Sequence, residues 1–367
     1  MQKTMMDARI DSFLYLYPVI KLLSFNQQGL RDASVIQCAG IHHPPPGNLM
    51  TFISNLRRRI LIAMALAPML TIAPAHAQKV PDTVRIGYQK SSTLITVLKT
   101  RGTLEQRLGA LGVKVTWHEF ASGLPLLEAL NVGAIDISAD VADTVPVFAL
   151  AAGAQLTYIA QEAPSPSAQA IVVKADSPIK SLADLRGKRI GFAKAAGAHY
   201  LLIAALEKAG LSLKDIQLAY LAPADGRAAF ERGAIDAWVI WDPFLAAVER
   251  QSQVRVLSDG RGLADYQRYY LASTPFAKAR PDVVKVVVNS LLETGKWVKQ
   301  SPRDAANLLA PVWGLDAATI EQANARRSYD VRAVVPERLA EQQKIADAFL
   351  AEGLLPKKVN ATAVPVF

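Results

Sequence analysis

Three hydroxyl residues in a row, Ser91-Ser92-Thr93, stand between an apolar run ending at Gln89 and a helix-like stretch beginning at Leu94. Hydroxyls beside the free backbone N–H groups of a helix N-terminus make an anion site, and the same residue types serve many helices simply as N-caps. Both readings stay open for this triplet. His199-Tyr200 opens a second helix-like stretch at the corresponding point of the later sequence, so two helix N-termini are expected to face one ligand. The other polar candidates each follow a strand-like run: Gln89, the acidic turn from Asp140 to Thr144, Gln161-Glu162, and Trp241-Asp242. Trp238 and Trp241 are three apart, so a strand sends them to opposite faces, and Trp241 is the one expected at the ligand. Arg227 offers a cation, although it also stands four residues before Glu231 and can pair with it along a helix.

The arrangements that catalysis needs are missing. After residue 77 the histidines are His118 and His199, neither spaced with carboxylates as metal ligands, and there is no Gly-x-Ser-x-Gly elbow. Ile190-Gly191-Phe192-Ala193-Lys194 lacks the glycine spacing of a dinucleotide-binding turn. No catalytic residue, metal or cofactor is therefore expected, and the candidates suit reversible recognition of a small polar ligand. A hinge-closing small-molecule enzyme is the alternative of another class.

The elements that must hold these residues are read from an internal repeat. Arg85-Ile86-Gly87-Tyr88 returns as Arg189-Ile190-Gly191-Phe192, Leu104-Glu105 as Leu206-Glu207, and Gly133-Ala134-Ile135-Asp136 as Gly233-Ala234-Ile235-Asp236. The offset shrinks smoothly from about 104 residues to about 100, as two copies of one unit with small deletions would give. Strand-like runs (Val84 to Gln89, Lys114 to Phe120, Ile135 to Ala139, Leu156 to Gln161) alternate with helix-like ones (Leu94 to Gly109, Pro125 to Asn131, Val145 to Ala152), and the pattern repeats from Ala170 to Leu257. Such alternation predicts two α/β lobes, each a parallel sheet covered by helices, with ligands at the carboxyl ends of the strands. Lobe 1 is expected over 78–165, lobe 2 over 166–268, and a return to lobe 1 with C-terminal helices over 269–367. Ala163 to Ser167 is the first crossing segment, and two crossings give a hinge.

Residues 1–77 read as something other than this fold. Arg57-Arg58-Arg59, the apolar run Ile60 to Ala67 and Ala75-His76-Ala77 have the order of a secretory signal peptide over 50–77, with cleavage after Ala77. Residues 1–49 have no periodicity, and Met50 stands at a natural start, so they read as an upstream extension from a misassigned start. The net charge of +9 includes this segment; residues 78–367 carry 34 Lys and Arg against 29 Asp and Glu, spread along the chain. That pattern argues against nucleic acid as a partner. The one cysteine, Cys38, lies upstream, which excludes disulfides, a thiol nucleophile and thiolate metal sites from the folded part.

Ser177-Pro178-Ile179-Lys180-Ser181-Leu182-Ala183-Asp184-Leu185-Arg186-Gly187-Lys188, His199-Tyr200-Leu201-Leu202 and above all Asp236-Ala237-Trp238-Val239-Ile240-Trp241-Asp242-Pro243 resemble the aliphatic-sulfonate-binding proteins of ABC importers, within the nitrate, sulfonate and taurine group. The resemblance covers Val84 to Gly353. It implies a monomeric, two-lobed periplasmic binding protein that closes on a small anionic or zwitterionic sulfonate and docks on a membrane permease paired with an ATPase. Taurine, nitrate or a thiamine-precursor pyrimidine are the alternative ligands on that scaffold. The departures fall at the rim: Ser91-Ser92 stands where the family has Gly-Gly, Asp140 to Thr144 where it has a Thr-Gly-Glu-rich turn, and Ala196-Gly197 where it has Ser-Asn. Asp140 and Asp143 would suit the ammonium of a zwitterion such as taurine.

Overall fold

The computed structural model describes residues 82–367. The upstream extension, the signal peptide with its cleavage after Ala77, and Cys38 lie outside the described residues. Sheet A has the strand order β11-β4-β10-β3-β1-β2 and sheet B the order β7-β6-β8-β5-β9. Sheet A draws on three stretches of chain: β1 (Thr83–Gln89), β2 (Lys114–Phe120), β3 (Ile137–Ala142) and β4 (Leu156–Glu162), then β10 (Arg268–Ser273), then β11 (Val331–Arg332). Sheet B is contiguous: β5 (Gln169–Lys174), β6 (Arg189–Phe192), β7 (Gln217–Tyr220), β8 (Ala237–Trp241) and β9 (Val254–Asp259). Neither sheet is wholly parallel. β10 runs antiparallel to both β3 and β4, and β5 runs antiparallel to β8 and β9, because each crossing segment enters its new sheet from the cleft end.

The repeat has a packing explanation. A Cβ on Gly87 would meet Ile135 Cδ1 at 2.4 Å, and a Cβ on Gly191 would meet Ile235 Cδ1 at 2.4 Å. Each strand glycine is thus the socket for the isoleucine of its own Gly-Ala-Ile-Asp. The aspartate that follows accepts the backbone N–H of the strand's arginine, Asp136 from Arg85 at 2.8 Å and Asp236 from Arg189 at 2.7 Å. Gly133 and Gly233 both have φ of 72°, the left-handed turn that lets the helix before them end and the strand begin.

The helices that bear on the cleft follow the strands: α1 (Thr93–Arg101) after β1, with α2 (Thr103–Gly109) next, α3 (Gly123–Asn131) after β2, α4 (Thr144–Ala151) after β3, α5 (Gly197–Lys208) after β6, α6 (Pro223–Glu231) after β7 and α7 (Phe244–Gln251) after β8. The single helix expected from Leu94 to Gly109 is in fact two. Gly102, at φ 65°, ends α1 and starts α2. C-terminal helices α8 (Thr274–Ala279), α9 (Pro281–Gln300), α10 (Pro302–Trp313) and α11 (Ala317–Arg326) extend lobe 1, where Val287, Leu291, Leu309 and Ile320 share one core with Leu94 and Leu98 of α1. The last helix, α12 (Ala340–Ala351), joins a second core that continues into lobe 2. No described helix is long and apolar enough to cross a membrane.

Candidate functional site

The two lobes meet at their strand ends. Thr144 Oγ1 at the start of α4 donates to Ala195 O, just before α5, at 2.6 Å, and Thr93 of lobe 1 lines a small void with Asp242 and Pro243 of lobe 2. It is a narrow crevice with no room for a water molecule while the lobes stand this close, and Trp313, Ala323, Asn324, Arg327 and Tyr329 complete its wall.

The serine pair of this rim does not cap its helix. Ser92 Oγ accepts the Gln89 backbone N–H at 3.2 Å, folding the turn on itself, and Ser91 Oγ is buried without a partner. The capping reading of the triplet is therefore set aside by the geometry, which leaves a hydroxyl free. Tyr329 gives its proton to Asn324 Oδ1 at 2.7 Å, so Thr93 Oγ1, 2.8 Å away, is the donor to Tyr329.

Behind the void lies a buried network of two cations and two anions. Arg327 Nη2 is 2.7 Å from Glu162 Oε2 and 3.1 Å from Asp140 Oδ2, and Arg268 Nε is 2.6 Å from the same Asp140 oxygen, though without hydrogen-bond alignment. Tyr270 donates to Glu162 Oε1 at 2.7 Å, Arg268 Nη1 to the Tyr266 hydroxyl at 2.7 Å, and Gln89 Nε2 to Asp140 O at 3.2 Å. All four ionic side chains are at most 3% exposed. At that depth the charges persist because they cancel; taking away one partner strands the other at a cost of ~3–5 kcal/mol. The carboxylates hold the Arg327 guanidinium charged, its pKa well above the ordinary value. Arg327 Nε, Asn324 Nδ2 and Trp313 Nε1 are buried donors without a partner, all three on residues that line the void. Buried N–H groups are nearly always paired, so three unpaired ones on the walls of one crevice are candidate donors to a ligand.

The other expected residues fall around this centre unequally. Asp242 is buried, accepts Ala246 N–H at 3.0 Å and lies 3.4 Å from Arg326 Nη1; burial pushes its pKa up to about 7 against the pull of Arg326. Trp241, 4% exposed, packs edge-to-face on Phe244, while Trp238 packs on Phe230. His199 Nδ1 accepts the Ala195 N–H at 3.3 Å, and the ring lies against Phe192 and Phe349; burial and nearby Lys194 push its pKa down to about 3, so it is neutral. Asp143, pushed up to about 7 by burial, accepts the Gln267 N–H and lines a different crevice with Tyr200. Arg227 is elsewhere. It pairs with Glu231 and reaches Gln251 and Ser252 at the far end of α7, the end of lobe 2 that faces away from the strand rims. Arg268, Arg327, Asn324 and Tyr329 were not anticipated. A lone arginine in the strand Gln267-Arg268-Tyr269-Tyr270-Leu271 was the available signal for one of them.

Among the described residues no group of three or more His, Cys, Asp or Glu is placed to hold a metal ion.

Two α/β lobes joined by crossing segments, with strand rims closing on a polar void, define the periplasmic-binding-protein fold. Comparison with known proteins narrows the class. The chain matches the NMT1/THI5-like family over residues 110–305. It is 40% identical to the alkanesulfonate-binding protein SsuA of Xanthomonas axonopodis pv. citri, solved with MOPS bound, which it matches at a TM-score of 0.74 over 78% of this chain and 98% of that one. The periplasmic aliphatic sulphonate binding protein SsuA of Escherichia coli is 41% identical, with a TM-score of 0.71 and the same coverage. The taurine-binding periplasmic protein of Escherichia coli is 27% identical over 235 residues, 59% of this chain and 69% of that protein. The chain belongs to the NMT1/THI5-like family.

Proposed function

We propose that this protein binds small aliphatic sulfonates in the periplasm and delivers them to an ABC permease and its ATPase, acting as a monomer and without turnover. The observation that carries the ligand class is the set of unpaired buried donors, Arg327 Nε, Asn324 Nδ2 and Trp313 Nε1, on residues that line one interlobe crevice, which has to widen to admit a ligand. A tetrahedral oxyanion accepts from several directions at once and needs no covalent chemistry to be held. The 40–41% identity to two sulfonate-binding proteins supports the same reading. The reading of residues 50–77 as a signal peptide agrees with export.

The ligand's tail is the finer question, and the buried network favours an uncharged one. Asp140 and Glu162 are each matched by a guanidinium, so neither has a net charge to offer an ammonium group, and Asp143 serves the Gln267 backbone in another crevice. The expectation that the acidic turn suits a zwitterion such as taurine therefore gives way to one of alkyl sulfonates. A calorimetric panel of propanesulfonate, hexanesulfonate, MOPS, taurine, nitrate and a thiamine-precursor pyrimidine tests both levels. Propanesulfonate is expected to bind at least about tenfold more tightly than taurine, a difference of ~1.4 kcal/mol. Binding of nitrate or the pyrimidine with no response to any sulfonate would overturn the ligand class, and equal affinity for taurine and propanesulfonate would overturn the argument about the tail.

A further inference from the structure

The two sides of the interlobe cleft are held by different chemistry. On one side α12 sits against α4 of lobe 1 and α5 of lobe 2, and the contact is aromatic. Phe349 packs on Phe148 at 4.8 Å, on His199 at 5.0 Å and on Tyr200 at 6.2 Å between ring centres. A single hydrophobic cluster runs through this contact, from Val145 of lobe 1 by way of Phe349 to Leu201 and Phe192 of lobe 2. On the other side α7 of lobe 2 meets α11 of lobe 1 through ion pairs and a side-chain hydrogen bond. Arg326 pairs with Glu249 and lies 3.4 Å from Asp242; Gln322 Nε2 donates to Glu249 Oε2 at 2.7 Å; Arg250 Nε is 3.7 Å from Asp316. The core that contains Ile320 of α11 includes no residue of lobe 2.

Separating the aromatic side would bring apolar surface into water, which is opposed in proportion to the area exposed. Separating the polar side parts Arg326 from Glu249, 19% and 21% exposed, and from buried Asp242, and the hydration regained by all three charges offsets much of the lost attraction. One rotation of the lobes therefore meets unequal resistance at its two edges.

We infer that the lobes part along the seam between α7 and α11 while pivoting on the α4–α5–α12 contact, and that Arg326 is the latch of that seam. Its guanidinium ties together Asp242, at the wall of the void, and Glu249, outside it. Glu249 and Gln322 line no part of the void, yet they become positioning residues for ligand retention. The inference rests on the reading that the cleft closes around a solute, but its geometry can be measured without one.

Residues 82–367 contain no cysteine, so pairs of spin labels can be placed at will. Ala318→Cys with Gln253→Cys reports the seam, and Asp347→Cys with Lys208→Cys reports the pivot; all four positions are exposed. In the ligand-free exported protein, Glu249→Gln with Gln322→Ala is expected to shift the seam distances to longer values and to leave the pivot distances unchanged. With MOPS or hexanesulfonate as the probe, the same double variant is expected to release ligand about three- to tenfold faster at an unchanged melting temperature. Pivot distances that lengthen as much as the seam distances, or seam distances identical to those of the unaltered protein, would overturn the inference. If no sulfonate binds, the proposed ligand falls while the distance measurement still decides the matter of the seam.

Discussion

Replacing Arg327 with glutamine separates what this side chain does for the fold from what it does for the ligand. Its Nη2 holds Glu162 at 2.7 Å and Asp140 at 3.1 Å in a site that is almost fully buried. Removing the guanidinium leaves two carboxylates to share Arg268, an excess of one buried negative charge, and the expected loss is ~3–5 kcal/mol in urea unfolding. Much of that loss is electrostatic and can be undone. In the double variant Arg327→Gln with Glu162→Gln, one cation and one anion leave together, so most of the stability should return. Affinity should not return with it. Glutamine keeps an amide N–H near the place of the Nε–H that is buried without a protein partner but lacks the positive charge behind it, and the charge-assisted part of such a bond contributes ~1.5 kcal/mol, or about tenfold in Kd. Urea titration measures the first effect, and calorimetry with hexanesulfonate the second. A double variant that is stable and binds hexanesulfonate as tightly as the unaltered protein would refute the placing of the sulfonate at Arg327.

Buried Asp143 gives a pH prediction. Its pKa is raised from 3.8 to about 7 on folding, so the folded state binds the proton more tightly than the unfolded state. Its contribution is fully present below pH ~4 and is lost as pH rises through ~7, and Asp143→Asn should remove that dependence, with on the order of 4 kcal/mol gained at pH 8. Gly197→Ala would place a Cβ 2.6 Å from the Tyr266 ring, where α5 of lobe 2 abuts the crossing segment. Overpacking of this kind costs ~1–3 kcal/mol, and here it should appear as weaker ligand binding in calorimetry, because the lobes can relieve it by moving apart. Arg227→Ala should leave hexanesulfonate affinity unchanged and alter stability by under ~1 kcal/mol, since the pair it breaks is on the surface.

The sequence was most legible where local chemistry and packing agree. Gly87 with Ile135 and Gly191 with Ile235 recur because each glycine is the socket for its own isoleucine, so the repeat marks both lobes. The rims were legible as places, because a polar residue directly after an apolar strand has few other roles. The occupants of the void were not. Asn324, Arg327 and Tyr329 come from the last turn of α11 and the chain just after it, and nothing in Ala325-Arg326-Arg327-Ser328 distinguishes a buried arginine from a solvated one. Their position depends on contacts with chain more than 200 residues earlier, such as Thr93 with Tyr329. Arg227 illustrates the converse: its i,i+4 partner is visible in the sequence, and the structure contains that pair.

That dependence on distant chain has a consequence for the order in which the protein is made. Lobe 2 is contiguous from Gln169 to Asp259 and can complete its sheet as soon as that stretch is available. Lobe 1 must wait for β10 and β11, and the cleft for Arg326 and Arg327, which lie within the last 42 residues of a 367-residue chain. A chain made from its N-terminus therefore has no complete site until β11 and this arginine pair have been added, long after lobe 2 can stand by itself. Ligand capture waits on a late segment that packs against the earliest strands.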